Sequence, residues 1–201
     1  MRYEKHKITL PEGLFDNELL FFDHTDKPVL KKYFNDWVNL CRDTTDKIGG
    51  TRSINLPESF SEAVFSIDMN VGRCIKSISG SSSSFDHYDL KTKKRIQLKG
   101  ASSFGPSSFG PTSQYDEIYF LFFRIIADER KKRKKNKTYS GKYEIYKLNP
   151  KDFPPIICNK KKNETFLDQQ KAGKRPRFSI PKVLIDPHNL KPIKTGDVDL
   201  W

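Results

Sequence analysis

At 201 residues the chain is long enough for one domain with a real core and short for two. Its 37 lysines and arginines against 25 aspartates and glutamates give a formal net charge of +12, a surplus that points to a polyanionic partner such as nucleic acid. The three cysteines, Cys41, Cys74 and Cys158, lie far apart with no CxxC pair, which excludes a disulfide framework and a cysteine-rich zinc site and fits a reducing compartment. The longest apolar run, Ile118 to Phe123 and resuming at Ile125, is too short to cross a bilayer, so no membrane association is expected and the chain reads as soluble and cytosolic. No Walker loop, GxSxG elbow or HExxH pair is present, which argues against nucleotide hydrolases, serine hydrolases and zinc proteases.

In chain order, a charged lead-in precedes Leu30, Tyr33, Phe34, Trp37, Val38 and Cys41, whose spacing predicts an amphipathic helix from Pro28 to about Arg42. Core packing and a dimer surface are both open to that helix. Gly49 and Gly50 break the chain, and Phe60, Ala63, Val64 and Ile67 mark a second helix beginning near Pro57, with Glu58 and Glu62 on one face. Gly80 to Ser84 reads as a flexible turn into a strand starting at Phe85 to Tyr88, and a reverse turn at Asp89 to Lys93 returns the chain as a strand from Arg95 to Lys99. Ser102 to Pro111 is a tandem duplication, SSFGPSSFGP, whose Gly-Pro pairs predict a loop. Asp116 to Ile126 has the composition of a buried central strand, and it leads through a basic tip at Lys131 to Lys137 into a strand at Tyr143 to Leu148. A short helix is expected over Glu164 to Ala172, closed by Gly173, and a strand-like stretch over Phe178 to Ile185, interrupted by Pro181. The expected architecture is α/β of mixed α+β type: a single domain over residues 1–201 with a mixed central sheet flanked by helices, residues 1–48 being an N-terminal helical segment and candidate dimerisation element.

Chemistry concentrates in FDHYDLKTKKRIQLKGASS, Phe85 to Ser103. Residues two apart on a strand share a face, so Gln97 and Lys99 point together while Ile96 and Leu98 enter the core. With Asp86 opposite them across the hairpin, three polar groups converge where a divalent cation and a phosphate can sit, as phosphodiester hydrolysis requires. His87 points to the other face, and His6, His24 and His188 have no partners at metal-ligand spacing.

These residues resemble the PD-(D/E)XK nucleases, with Asp86 in the first acidic position and Gln97-Leu98-Lys99 in the place of the D/E-x-K triplet. GGTRSINLPESFSEA (Gly49 to Ala63), KTKKRIQLKGASSFGPSSFGPTSQYDEIYFL (Lys91 to Leu121) and ETFLDQQKAGKRPRFSI (Glu164 to Ile180) look like successive blocks of a family of small Type II restriction endonucleases, similar to the PvuII-like branch, that cut within GCNGC. The blocks occur in family order, while the first 48 residues and the basic tip lie outside them. The resemblance implies a restriction-endonuclease-like PD-(D/E)XK core, magnesium as cofactor, duplex DNA as substrate, cleavage that leaves 5'-phosphate ends, a homodimer and a cognate DNA methyltransferase in the same system. It also implies Asp86, Gln97, Lys99 and Glu62 as catalytic, with Asp86, Gln97, Glu62 and the Leu98 backbone carbonyl toward the metal.

Gln97 departs from the pattern, since family members usually carry glutamate there. An amide offers a carbonyl oxygen but no negative charge. Three consequences stay open: Glu62 restores the charge, metal affinity is lower, or the copy is impaired. The uncharged loop after the catalytic strand, with Ser102, Ser103, Phe104, Ser107, Ser108, Phe109, Thr112, Ser113 and Gln114, suits base edges, and Lys174, Arg175 and Arg177 suit guanine or phosphate. The basic tip suits non-specific phosphate contact. Rival expectations are a non-catalytic DNA-binding relative, a nuclease dependent on cytosine modification or acting in repair, and an RNA-associated protein.

Overall fold

The computed structural model describes residues 1–49, 54–75, 84–111, 113–127 and 137–201; at positions 45, 124–127 and 137–139 it describes the backbone alone. Thr112, the turn expected over 80–83, Gly50 and most of the basic tip (131–136) lie outside the described residues.

Two strands open the chain, β1 (Arg2–Leu10) and β2 (Gly13–Phe21), paired antiparallel through a tight turn at Pro11 and Glu12, with Gly13 at φ +141°. The first 48 residues are thus a hairpin followed by a helix, which corrects the expectation of a helical segment. The reason is that only Ile8 and Leu10 of β1 are buried, so charged neighbours hide the period of two. Helix α1 (Lys27–Asp46) follows, with Pro28 in its first turn, and α2 (Glu58–Met69) starts after Pro57 and ends on Asn70 in the left-handed conformation.

The strands β3 (Gly72–Cys74), β4 (His87–Asp89), β5 (Lys94–Ala101), β6 (Ser107–Ser108), β7 (Glu117–Ala127), β8 (Lys137–Leu148), β9 (Ile157–Asn159) and β10 (Glu164–Thr165) come next. Helix α3 (Phe166–Lys171), β11 (Arg177–Phe178), a helical turn over Pro181–Ile185 and β12 (Lys194–Asp197) complete the chain. Among the described residues an eight-stranded mixed sheet runs in the order β1-β2-β3-β4-β5-β7-β8-β12, in which β5 and β7 pair in parallel and the other neighbours antiparallel.

Residues Ile118 to Phe123 of β7 are buried on both faces, which accounts for their unbroken apolar run. Tyr119, Leu121 and Phe123 join Ile96, Leu98, Tyr143 and Ile145 beneath Phe34, Trp37 and Cys41 of α1 and Phe60, Val64 and Phe65 of α2. On the other face, Ile118, Phe120 and Phe122 meet Phe109, Phe153, Phe166, Phe178 and Ile180. A smaller cluster of Ile8, Leu10, Leu19, Phe21 and Tyr88 sits under the hairpin.

Three further expectations are corrected. The SSFGPSSFGP stretch is not wholly irregular, because Ser107–Ser108 pair with Arg177–Phe178 as a two-residue ladder. The strand expected over Phe178–Ile185 stops at Phe178: Pro181 has no N–H for a ladder and instead occupies the first turn of a helical segment. α3 begins only at Phe166, where Thr165 and Asp168 form a reciprocal capping box. No expectation covered β12, whose polar residues give no strand signal and which pairs at the sheet edge with β8.

Candidate functional site

The site forms where β4 parts from β5. The last ladder pair sets His87 opposite Ile96, and one residue further Asp86 lies across from Gln97. The Asp86 N–H still donates to the Ile96 carbonyl at 2.9 Å, but the Leu98 N–H bonds instead to the Asp86 carboxylate, at 2.7 Å on Oδ2. The Gln97 amide also donates to Oδ2, and more weakly to the Leu98 carbonyl at 3.4 Å. Asp86 is therefore held by the strand it faces. Burial raises its pKa from the ordinary aspartate value, against the opposing pull of the Leu98 N–H and Lys99.

Helix α2 supplies the second wall. A Cβ on Gly100 would lie 2.4 Å from Ser61 Oγ, so the missing side chain lets α2 press directly onto β5. Ser61, itself buried, donates to the Glu58 carbonyl at 2.9 Å. This contact brings Glu58 and Glu62 to the cleft beside Asp86. Glu62 is ion-paired with Arg73 of β3, yet burial pushes its pKa up to about 7; Arg73 opposes that rise, and the negative charges of Asp86 and Glu58 add to it. His87 points away from the cleft as expected. It is fully buried edge-on against Phe65, with Nε2 at 3.0 Å from the Glu62 carbonyl, which ties β4 to α2. Burial lowers its pKa to about 4, so the ring is neutral at pH 7 with Nε2 donating.

The cleft has a volume of about 450 Å³, and its far wall is the loop after β5. Lys99, Ser102, Ser103, Ser107, Ser108 and Arg177 all line it. The structure thus brings together Asp86, Lys99, Glu62, four serines of the duplicated loop and one arginine of the KRPRF segment. Leu98 also lines it, whereas Gln97 is buried behind Asp86, which it reaches through its amide.

Other expected contacts lie elsewhere. Phe109 is buried, stacked on Phe178 with centroids 5.1 Å apart, and is a core residue instead of a base contact. Phe104 is half exposed, edge-on to Phe122. Lys174 is engaged with Glu164 at 3.0 Å, and Lys174, Arg175, Ser113 and Gln114 are not among the cleft-lining residues. Arg73, Ser61 and Asn55 were missed, since no local pattern joins a β3 arginine to an α2 glutamate; Gly100, directly after Lys99, was the one readable sign of a close backbone approach. Among the described residues no three His, Cys, Asp or Glu side chains converge into a metal cage by themselves, and no helix is long and apolar enough to cross a membrane.

The model of a family described as Bsp6I restriction endonuclease matches residues 22–187, a span that holds every residue of the cleft. The Type II restriction enzyme Bsp6I of Bacillus sp. (strain RFL6) is 30% identical over 155 residues, covering 71% of this chain and 72% of that protein. No solved structure matches.

Proposed function

From the premise that the chain belongs to the Bsp6I restriction endonuclease family, we propose that it is a magnesium-dependent Type II enzyme that hydrolyses duplex DNA at a short palindrome, GCNGC, leaving 5'-phosphate ends. The observation that carries this reading is the fork: Asp86, backed by the Gln97 amide, shares one cleft with Lys99 and Glu62, and the opposite wall of that cleft is serine-rich and carries Arg177.

The donor set suits a hard cation. Asp86, Glu62, the Gln97 amide oxygen and the Leu98 carbonyl are all oxygen ligands of the kind magnesium takes. Burial raises the pKa of both carboxylates, with Glu58 adding to the rise at Asp86 and Asp86 and Glu58 adding to it at Glu62, and a bound divalent cation would relieve that excess of negative charge. When bound, magnesium would polarise the scissile phosphate and acidify a water. Around it, Asp86 anchors the site through the Leu98 N–H, Lys99 presents a cation to the phosphate, and the buried strand floor limits water access. Glu62 supplies the second carboxylate that Gln97 lacks. Its ion pair with Arg73 holds it in the cleft, where as a carboxylate it would add the second negative charge that a bound cation needs. A homodimer placing one such cleft on each strand fits a two-fold symmetric target, and a partner methyltransferase protects the host sites.

A weakened enzyme is the second reading, favoured by the Gln97 amide donating to Asp86 where a glutamate would add charge. Plasmid digestion with magnesium separates the two. Wild type is expected to cut at defined sites, Asp86→Ala to abolish cutting, and Lys99→Ala to slow it by about a hundredfold or more. Gln97→Glu retains or raises the rate. Full cleavage by Asp86→Ala overturns the assignment.

A further inference from the structure

Opposite the acidic wall the chain builds a braced two-stranded ladder from two segments about seventy residues apart. Ser107–Ser108 pair antiparallel with Arg177–Phe178, Arg177 facing Ser108, and the Phe109 N–H donates to the Pro176 carbonyl at 3.0 Å. Ser179 Oγ closes one end by donating to the Phe104 carbonyl at 2.7 Å. Alternation sends Phe178 inward and Arg177 outward.

Beneath the ladder lies a rigid aromatic block. Phe109 and Phe178 are stacked at an interplanar angle of 8°, and both meet Phe153 and Phe166 edge-on. Lys99 Nζ stands 5.7 Å from the centre of the Phe109 ring, so the same block underlies the ladder and the lysine of the fork. The three basic residues of the KRPRF segment differ in consequence. Lys174 is paired with Glu164 and Arg175 lies outside the cleft, whereas Arg177 lines it from a hydrogen-bonded strand.

We propose that this ladder is the base-reading element of the enzyme, and that Arg177 selects a guanine in the major groove beside the scissile phosphate, with Ser107 and Ser108 on the neighbouring base edge. The inference rests on the reading of the chain as a duplex-DNA nuclease. A two-stranded ribbon fits the major groove, arginine donates bidentately to guanine O6 and N7, and a hydroxyl bonds to either kind of edge. Phosphate contact alone would need neither the ladder nor the stacked base beneath it, since charge acts without fixed geometry. Specific reading does need them, because a base pair is discriminated only by a side chain whose backbone is fixed. The shared aromatic block also sets the distance from the base that is read to the bond that is cut.

The test is selection from a randomised duplex library by full-length protein in calcium, without cleavage, using wild type, Arg177→Ala, Arg177→Lys and Lys174→Ala. Wild type is expected to enrich one motif. Arg177→Ala should lose its preference at one G·C pair per half-site by roughly ten- to a hundredfold and keep the remaining positions. Arg177→Lys should recover part of it, and Lys174→Ala should leave the motif unchanged. An identical motif from Arg177→Ala overturns the proposal, as does a uniform fall in affinity with all positional weights kept, which marks a phosphate contact. A wild type that enriches no motif also overturns it. Magnesium-dependent cutting of plasmid by that same preparation would leave the nuclease reading standing, so the two failures are distinguishable.

Discussion

On the α2 side of the cleft, Asp86, Gln97, Glu62 and His87 are polar groups withdrawn from water and held by one another; on the ladder side, Arg177 stays in water and the buried groups are phenylalanines. The first wall owes its geometry to individual hydrogen bonds, and the second to packed volume. A buried polar network changes when any one partner is removed, because the remaining group is left unsatisfied. An aromatic block tolerates changes of polarity around it and fails when volume is lost. The two walls should therefore respond to different kinds of substitution.

The largest effect is expected at the aromatic block. Phe109→Ala removes a fully buried ring that touches Phe153, Phe166 and Phe178, and should cost about 3–5 kcal/mol in urea unfolding. Phe109→Leu keeps most of the volume and should cost less, while relaxing the sequence preference of cleavage. A Phe109→Leu protein with wild-type preference would separate the ladder from the block beneath it.

Next comes the seam between α2 and β5. Gly100→Ala puts a methyl carbon 2.4 Å from Ser61 Oγ, and should cost about 1–3 kcal/mol together with much of the cleavage rate, as Glu58 and Glu62 are pushed outward. Adding Ser61→Gly to Gly100→Ala makes room and should return part of both. If the single variant cuts at the wild-type rate, Glu62 is not needed at Asp86.

How much of this was legible beforehand follows the same division. The fork was readable because strand alternation is local: Asp86, Gln97 and Lys99 lie within fourteen residues of one hairpin. Glu58 and Glu62 were readable as one helix face, though only the Gly100 contact says which way that face turns. Arg73 was not readable, since its pairing with Glu62 depends on β3 entering the sheet between β2 and β4. The ladder was hidden for a related reason. Its strands are two residues each, and Gly-Pro pairs on one side and Pro176 on the other signal a loop. Phe109 was misread as a base contact because local composition cannot tell an exposed phenylalanine from a buried one, whereas Phe104, in the equivalent place of the duplication, is half exposed.

The smallest effect is the most specific to the acidic wall. Glu62 has an ordinary pKa near 4.5 when unfolded and about 7 when folded, so the folded protein binds the extra proton between those values. Its favourable contribution is complete below pH 4.5 and is lost as pH rises to about 7. His87 runs the other way: held down to about 4 when folded against 6.5 unfolded, it costs stability as pH falls below 6.5. Between pH 4.5 and 6.5 the two slopes oppose, and the stability of wild type should be nearly flat there. Glu62→Gln removes one slope and leaves the other, so its stability should climb through that window. At pH 8 it should exceed wild type by on the order of 1 kcal/mol. The shift alone allows about 3 kcal/mol, but Arg73 loses its carboxylate in the variant and takes part of that back. Magnesium at pH 8 should then raise the unfolding midpoint of wild type more than that of Glu62→Gln, because the variant leaves Asp86 as the one carboxylate of the pair to meet the cation. Equal gains for both proteins in magnesium would remove Glu62 from the metal site and leave its raised pKa a consequence of burial alone.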